Sequence, residues 1–171
     1  MLLWSVKLNI FVLSKDPVRA AIMQCDQHVV KMTLETAQLL CSSFEIGLAP
    51  YKRTHFNHPC SKWARESEGN FLWLCKHGIA LAEEYAYRYN KNHKSEAVII
   101  WCWNNIYKIP FPKKRRSAFA MAMPEEFIGD CAVESYRRFY KNSKLGFARW
   151  EKGRPEPVWL RKKRYDYSRP D

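Results

Sequence analysis

The stretch from residue 20 to residue 40 is apolar almost all round when it is drawn as a helix. Its polar side chains recur at helical spacing along one narrow face, and they are Gln24, His28, Lys31, Glu35 and Gln38. A surface helix normally has a wider polar face than this, so the helix is predicted to be mostly buried. Ionisable groups on a buried helix need partners or a cleft. The stripe is therefore predicted to face a groove, with a solvated helix face as the alternative.

Capping residues, prolines and glycines divide the chain into predicted elements. Asp16-Pro17 begins a helix that is expected to run from about residue 17 to residue 44. The further predictions are a loop over 51–60, one long helix or two stacked helices over 61–89, a helix capped by Ser95, a proline-bounded basic loop, and a helix from Asp130 to about Asn142. The fold class is predicted to be mainly α. We expect residues 1–171 to form a compact single-domain helical bundle with an irregular N-terminal segment and a basic, aromatic C-terminal tail.

The net charge of +12 favours a polyanionic partner. The charge is uneven: residues 1–110 contain 13 Lys and Arg against 9 Asp and Glu, whereas residues 111–171 contain 16 against 8. A basic C-terminal third is typical of contact with nucleic acid. A membrane surface is not expected as the partner, because the chain has neither a long apolar run nor a clean basic amphipathic helix.

The six cysteines are widely spaced and contain no C-x-x-C pair. This distribution predicts reduced, buried thiols and a cytoplasmic protein rather than a disulfide framework. The apolar start "MLLWSVKLNIFVL" is interrupted by Lys7 and Asn9 and lacks a cleavage site, so a signal peptide or membrane span is not expected. A short extended segment against the core is predicted instead.

The polar stripe contains the first set of candidate catalytic residues, His28, Lys31 and Glu35. Lys31 and Glu35 are four residues apart, which allows an ion pair on one helix face. His28 lies one turn before Lys31, where either charge can shift its pKa. A lysine with a lowered pKa can act as a nucleophile that forms an imine.

The loop "THFNHPC" contains the second set, His55 and His58, together with Cys60. Three interpretations remain open: histidines that cap the next helix, an acid–base or phosphate-binding role beside His28, and a structural zinc site. The zinc interpretation lacks an obvious fourth ligand, and no metal or other cofactor is expected.

Clustered cations interleaved with aromatic residues predict contact with phosphates and unpaired bases. The predicted nucleic-acid-binding residues are Lys52, Arg53, Lys113, Lys114, Arg115, Arg116, Arg154, Trp159, Arg161, Lys162, Lys163 and Arg164. Tyr136, Phe139, Tyr140 and Trp150 are neighbouring aromatic candidates for stacking. No zinc-finger, recognition-helix or phosphate-loop signature is present, so sequence-specific binding is not expected.

Three stretches, "LNIFVLSKDPVRAAIMQCDQHVVKM", "YKRTHFNHPC" and "AEEYAYRYNKNHKS", resemble a group of small bacteriophage proteins. More distantly, the chain is similar to the phage pyrimidine-dimer DNA glycosylase/AP lyase (endonuclease V-like) family. Leu8-Asn9-Ile10 corresponds to its "I-N-L" segment, residues 27–31 to its basic-Glu-x-x-basic helix, and Arg154-Pro155 with Trp159 to its R-P-x-W-Y tail. The resemblance implies a compact all-helical domain that kinks DNA and extrudes a base.

The implied function is that of a DNA repair enzyme, a base-excision DNA glycosylase with AP-lyase activity, which acts on DNA rather than RNA in the host-cell cytoplasm. Two departures affect the chemistry. The family's nucleophile is an N-terminal amine, yet about seven extra residues precede the matching segment, and His28 occupies the position of the family's carboxylate. A metal-independent nuclease that uses a histidine pair and a non-catalytic nucleic-acid-binding protein are the alternatives.

Overall fold

The computed structural model describes residues 8–161, and this part of the chain is helical with no strand. Its six α-helices are α1 (Pro17–Met23), α2 (Asp26–Cys41), α3 (Pro59–Glu66), α4 (Glu68–Tyr89), α5 (Glu96–Asn104) and α6 (Ala132–Ser143). Short 3-10 helices span Ile106–Lys108, Glu125–Phe127 and Val158–Leu160. The mainly α fold class is confirmed. The predicted phosphate-binding residues Lys162, Lys163 and Arg164 lie outside the described residues.

Helix α4 is the centre of the bundle, and α1, α2, α3 and α5 all pack against it. The Ser67 hydroxyl caps its first turn by accepting a hydrogen bond from the Asn70 backbone N–H at 3.0 Å. Asn90 ends the helix in the left-handed conformation. At Gly78 the helices approach so closely that a Cβ atom would lie 2.7 Å from the Thr36 side chain of α2. The small residue therefore permits the tight contact on which this part of the core depends.

The prediction of one helix from residue 17 to residue 44 is wrong, because the chain leaves the helix at Gln24 and Cys25. The predicted start is confirmed, since Asp16 accepts a hydrogen bond from the Arg19 backbone N–H at 2.7 Å. Distant groups stabilise the break. The Tyr140 hydroxyl accepts from the Cys25 N–H at 2.9 Å, and Arg88 donates to the Gln24 carbonyl at 2.8 Å.

Other predicted boundaries are confirmed in part. Ser67 separates α3 from α4, which supports the two-helix alternative over 61–89. Ser95 directly precedes α5, but its hydroxyl is hydrogen-bonded to the Tyr51 hydroxyl at 3.0 Å instead of capping the helix. Asp130 does not cap α6, because Cys131 occupies the capping position. Helices α5 and α6 thus begin near the predicted positions, but without the predicted side-chain caps.

Residues 8–13 form the predicted irregular N-terminal segment and are buried throughout. The segment is not extended along its whole length, because Phe11 has a φ of 55°. All six cysteines are free thiols; five are buried, and Cys131 is partly exposed. None of the described helices is long and apolar enough to cross a membrane.

Candidate functional site

A pocket of about 730 Å³ opens beside the first turns of α2. Its other walls come from the N-terminal segment (residues 8–13), the start of α3, residues 121–124 and the end of α6. The surrounding side chains are mostly apolar, with Phe11, Met32, Met121, Met123, Phe139 and Phe147 among them. A concave apolar site of this size with a few polar groups is typical of a small-molecule or nucleotide site.

Asn9 fixes the relation between two walls of the pocket. Its side-chain oxygen accepts hydrogen bonds from the N–H groups of Ile10 and Phe11 at 2.8 and 3.3 Å. Its side-chain nitrogen donates to the Ala122 carbonyl at 2.8 Å. Phe11 adopts a left-handed backbone conformation with φ of 55°, which is strained for an aromatic residue. This strained turn directs the Phe11 ring onto His28.

His28 is a buried, neutral histidine within a cage of aromatic rings. Its imidazole stacks on Phe11 at a centroid distance of 4.5 Å. Its centroid lies 5.1 Å from that of Tyr140 in an edge-on contact and 5.4 Å from that of Phe147 in a tilted one. Burial, with the positive charges of Lys144 and Lys31, lowers the pKa of His28 to about 3. Its Nδ1 atom has no hydrogen-bond partner within the described residues. At neutral pH this ring therefore carries no charge, and its Nδ1 atom is buried.

Lys31 and Glu35 form the predicted ion pair, with Nζ and Oε1 3.4 Å apart. The Lys31 side chain is 47% exposed and lines the pocket, whereas Glu35 is buried behind it. The other oxygen of Glu35 accepts a hydrogen bond from the Asn9 N–H at 3.0 Å. Burial raises the pKa of Glu35 above its ordinary value, and the hydrogen bond and Lys31 partly oppose this effect. Glu35 thus anchors Lys31 and Asn9 rather than facing the pocket.

Lys144 is a pocket residue that the sequence analysis missed. It follows the end of α6, is half-buried, and has its ammonium group 4.8 Å from the Phe139 ring centroid and 5.6 Å from that of Phe11. Burial and the neighbouring charge of Lys31 lower its pKa. Within the described residues it forms no ion pair with a carboxylate. The segments that bury Lys144 are distant in the sequence, so the sequence does not show that this lysine lies in a pocket. Phe139, five positions earlier, is a nearby pocket residue.

The side chains of the histidine loop, residues 54–60, lie in different environments. His58 lines the pocket and caps α3, since its Nδ1 accepts a hydrogen bond from the Cys60 N–H at 3.1 Å. His55 is exposed and is hydrogen-bonded to the Thr54 hydroxyl at 2.7 Å. Cys60 is buried, and burial raises its thiol pKa to about 12. Within residues 8–161 no three His, Cys, Asp or Glu side chains come together as a possible metal site.

The polar stripe is only partly a pocket wall. Gln24 belongs to the break before α2 and is fully buried, where its amide nitrogen donates to the Ile10 carbonyl at 3.2 Å and lies 3.3 Å from His77 Nε2. Gln38 is also not among the residues around the pocket. The groove predicted for the stripe exists at His28 and Lys31, at the start of α2.

The predicted basic loop, Lys113 to Arg116, is held against the start of α4. The Glu68 and Gly69 N–H groups donate to the carbonyls of Lys113 and Lys114, each at 2.9 Å. The Lys113 ammonium pairs with Glu66 at 2.7 Å, and Lys114 lies 4.0 Å from Glu68. Arg115 and Arg116 are exposed and form no ion pair in the described part of the chain. The Arg116 guanidinium lies 4.5 Å from the Phe119 ring centroid.

Arg154 and Trp159, two of the predicted nucleic-acid-binding residues, both have contacts inside the protein. Arg154 pairs with Glu84 at 2.6 Å and covers the Tyr87 ring at 4.3 Å. Trp159 is half-buried with its ring 6.3 Å from that of Tyr140. The other stacking candidates are also packed in or against the hydrophobic core, and they are Tyr136, Phe139, Tyr140 and Trp150. Base stacking on this set is therefore not part of the interface that we propose.

Lys52 and Arg161 are exposed, as a phosphate contact requires. Arg53 is half-buried and directly precedes the histidine loop, residues 54–60. Its guanidinium lies 4.3 Å from the ring centroid of Phe56.

The chain matches no protein family, no curated protein and no solved structure at a significant level.

Proposed function

We propose that the protein is a DNA-acting enzyme, a base-excision DNA glycosylase with an associated lyase step. The observation that carries the proposal is the pairing of an aromatic-walled pocket with a half-buried lysine amine, Lys144, whose pKa is lowered. An enzyme that reacts with a nucleotide of duplex DNA must first extrude it into such a pocket. The volume of about 730 Å³ lies within the range of sites that enclose small ligands.

Lys144 is the nucleophile in this proposal. The burial and the charge of Lys31 that lower its pKa increase the fraction of neutral amine near neutral pH. The amine nitrogen bonds to the sugar C1′ while the bond from C1′ to the base breaks. The base leaves with that electron pair and takes up a proton from solvent. The bond from C1′ to the ring oxygen O4′ then breaks, and O4′ takes the proton that the nitrogen loses, which opens the sugar ring. The product is a protonated imine, which permits loss of a C2′ proton to water and departure of the 3′ phosphate as the leaving group.

His28 and Lys31 assist by binding and by charge. Because the pKa of His28 is about 3, its neutral ring contacts a base edge rather than transferring a proton at neutral pH. Lys31 keeps the pKa of Lys144 low and is itself held by Glu35. His58 is the remaining histidine of the pocket wall, whereas His55 lies outside it. A mechanism that depends on a pair of protonating histidines therefore has less support from this geometry.

Borohydride trapping tests the proposal directly. Oligonucleotides that contain damaged, modified or abasic nucleotides are incubated with the protein and borohydride, which reduces an imine to a stable covalent complex. We expect a trapped complex with at least one substrate and its loss, by about 100-fold or more, in Lys144→Ala. Lys141→Ala is the matched control, because this lysine lies only three residues earlier, on α6, but is exposed.

The alternatives give other results. A nuclease cleaves without any trapped complex, and a non-catalytic binding protein gives neither product nor complex. Either outcome across the whole substrate panel rejects the proposal. Trapping that survives in Lys144→Ala but disappears in Lys31→Ala would reject Lys144 as the nucleophile.

A further inference from the structure

An exposed aromatic ring stands at the tip of the histidine loop. The His58 N–H donates to the His55 carbonyl at 2.9 Å, which closes a tight turn with Phe56 and Asn57 at its centre. Both central residues are exposed, and Phe56 is 37% exposed. His55 has a φ of 49°, in the left-handed region, so the turn is held in a conformation that few such residues adopt. The turn therefore presents Phe56 outward at a fixed place.

Two arginines hold the Phe56 ring. The guanidinium carbons of Arg53 and Arg65 lie 4.3 and 3.7 Å from its centroid. Arg53 also donates to the Phe44 carbonyl, and Arg65 donates to the Phe56 carbonyl at 2.6 Å. Each guanidinium is thus fixed both to the ring and to the backbone. An exposed phenylalanine with this support is rigid, unlike an ordinary surface side chain.

The charge of this cluster is not compensated within the described residues, where neither Arg53 nor Arg65 forms an ion pair with a carboxylate. Burial and the neighbouring Arg53 lower the pKa of Arg65, which shows that the two cations disfavour each other. Two guanidinium groups held together without an acid are well suited to phosphate oxygens. A phosphate-rich partner would relieve their repulsion.

The position of the turn connects it to the pocket. His58 and Pro59, two and three residues after Phe56, form part of the pocket wall. A nucleotide that enters the pocket leaves a gap in the base stack, and apolar side chains of DNA-binding proteins fill such gaps. We propose that Phe56 is a wedge that enters duplex DNA beside the extruded nucleotide, while Arg53 and Arg65 bind the flanking phosphates. This inference rests on the proposed function, since it assumes that the pocket accepts a nucleotide.

Fluorescence of 2-aminopurine tests the wedge without requiring any chemistry. A duplex that carries this base beside the target position is titrated with protein, and unstacking increases its fluorescence. We expect a clear increase with the unmodified protein and about a tenfold smaller equilibrium constant for unstacking with Phe56→Ala. Phe56→Leu should restore most of the effect, because an apolar wedge of similar size remains. Tyr107→Ala removes a ring that is 76% exposed elsewhere and is the matched control.

A second readout separates wedging from general binding. Arg53→Ala and Arg65→Ala should each lower the slope of log K against log salt by about one. Phe56→Ala should leave that slope unchanged, since the ring carries no charge and binds no phosphate. Thermal unfolding verifies that each variant is folded.

The inference is overturned if Phe56→Ala unstacks the duplex as well as the unmodified protein does, or if it lowers the salt slope as much as the two arginine variants do. It is also overturned if the unmodified protein leaves the fluorescence of every duplex unchanged. Failure of the proposed chemistry has a different signature. In that case no imine is trapped and no base is released, while the fluorescence change and its dependence on Phe56 persist.

Discussion

At the residue scale, two buried histidines link the fold to pH. Burial lowers the pKa of His28 to about 3. Burial also lowers the pKa of His77 to about 4, although backbone hydrogen bonds partly oppose this effect. In the unfolded chain both groups titrate near 6.5. Below that pH the unfolded state binds more protons than the folded state, so the free energy of unfolding falls as the pH falls. The contribution of the two neutral rings to the free energy of unfolding is fully present above about pH 6.5. It is lost progressively as the pH falls towards their pKa values in the folded protein.

His28→Gln is expected to reduce this acid sensitivity. Each proton bound only by the unfolded state contributes a slope of about 1.4 kcal/mol per pH unit, so the variant should lose up to that amount of slope between about pH 6 and pH 4. Urea unfolding at a series of pH values measures it. Glu35, whose pKa is raised, contributes with the opposite sign, but it is present in both proteins and its effect cancels in the difference. His55→Gln is the control because its ring is exposed. Equal slopes for His28→Gln and the unmodified protein would contradict a neutral His28.

At the element scale, local sequence patterns predicted what local contacts determine. Asp16-Pro17 begins α1 through a cap that spans three residues, and His28 with Lys31 share a face because helical spacing places them there. The break before α2 was not predictable, because a hydroxyl 115 residues from Cys25 and a guanidinium 64 residues from Gln24 satisfy its backbone groups. Lys144 was missed for the same reason: sequence alone does not show which segments bury it.

Arg88 on α4 is the element-scale contact with the largest expected effect. Its buried guanidinium donates to the Ile22 and Gln24 carbonyls and pairs with Asp26 and Glu84. Lysine retains the charge but lacks the branched donors, so Arg88→Lys should leave acceptors unsatisfied and destabilise the fold by about 3 kcal/mol. Chemical denaturation measures the loss.

Arg19→Lys is the matched control for this experiment, because Arg19 is exposed on α1. It should change the free energy of unfolding by less than about 0.5 kcal/mol. A similarly small effect of Arg88→Lys would mean that the helix break does not depend on the forked geometry of the guanidinium.

At the scale of the whole molecule, the total of 29 Lys and Arg residues overstates the number of cations available to a partner, because several of them are paired with carboxylates inside the protein. Arg88 and Arg154 share the carboxylate of Glu84, and Lys31 is paired with Glu35. Position in the sequence alone therefore does not identify the cations that bind phosphate. Their carboxylate partners must be considered as well.

The basic loop provides a comparison of two exposed cations that differ in this respect. Lys113 pairs with Glu66 at 2.7 Å, whereas Arg115 has no ion pair within the described residues. A cation that already has a carboxylate partner releases fewer counterions from DNA. Arg115→Ala should therefore lower the slope of log K against log salt by about one, and Lys113→Ala by clearly less. Titration of a labelled duplex at several salt concentrations measures both slopes, and each variant removes one positive charge, so a difference cannot come from net charge. Equal slopes for the two variants would show that binding depends on total charge and not on which cations are paired.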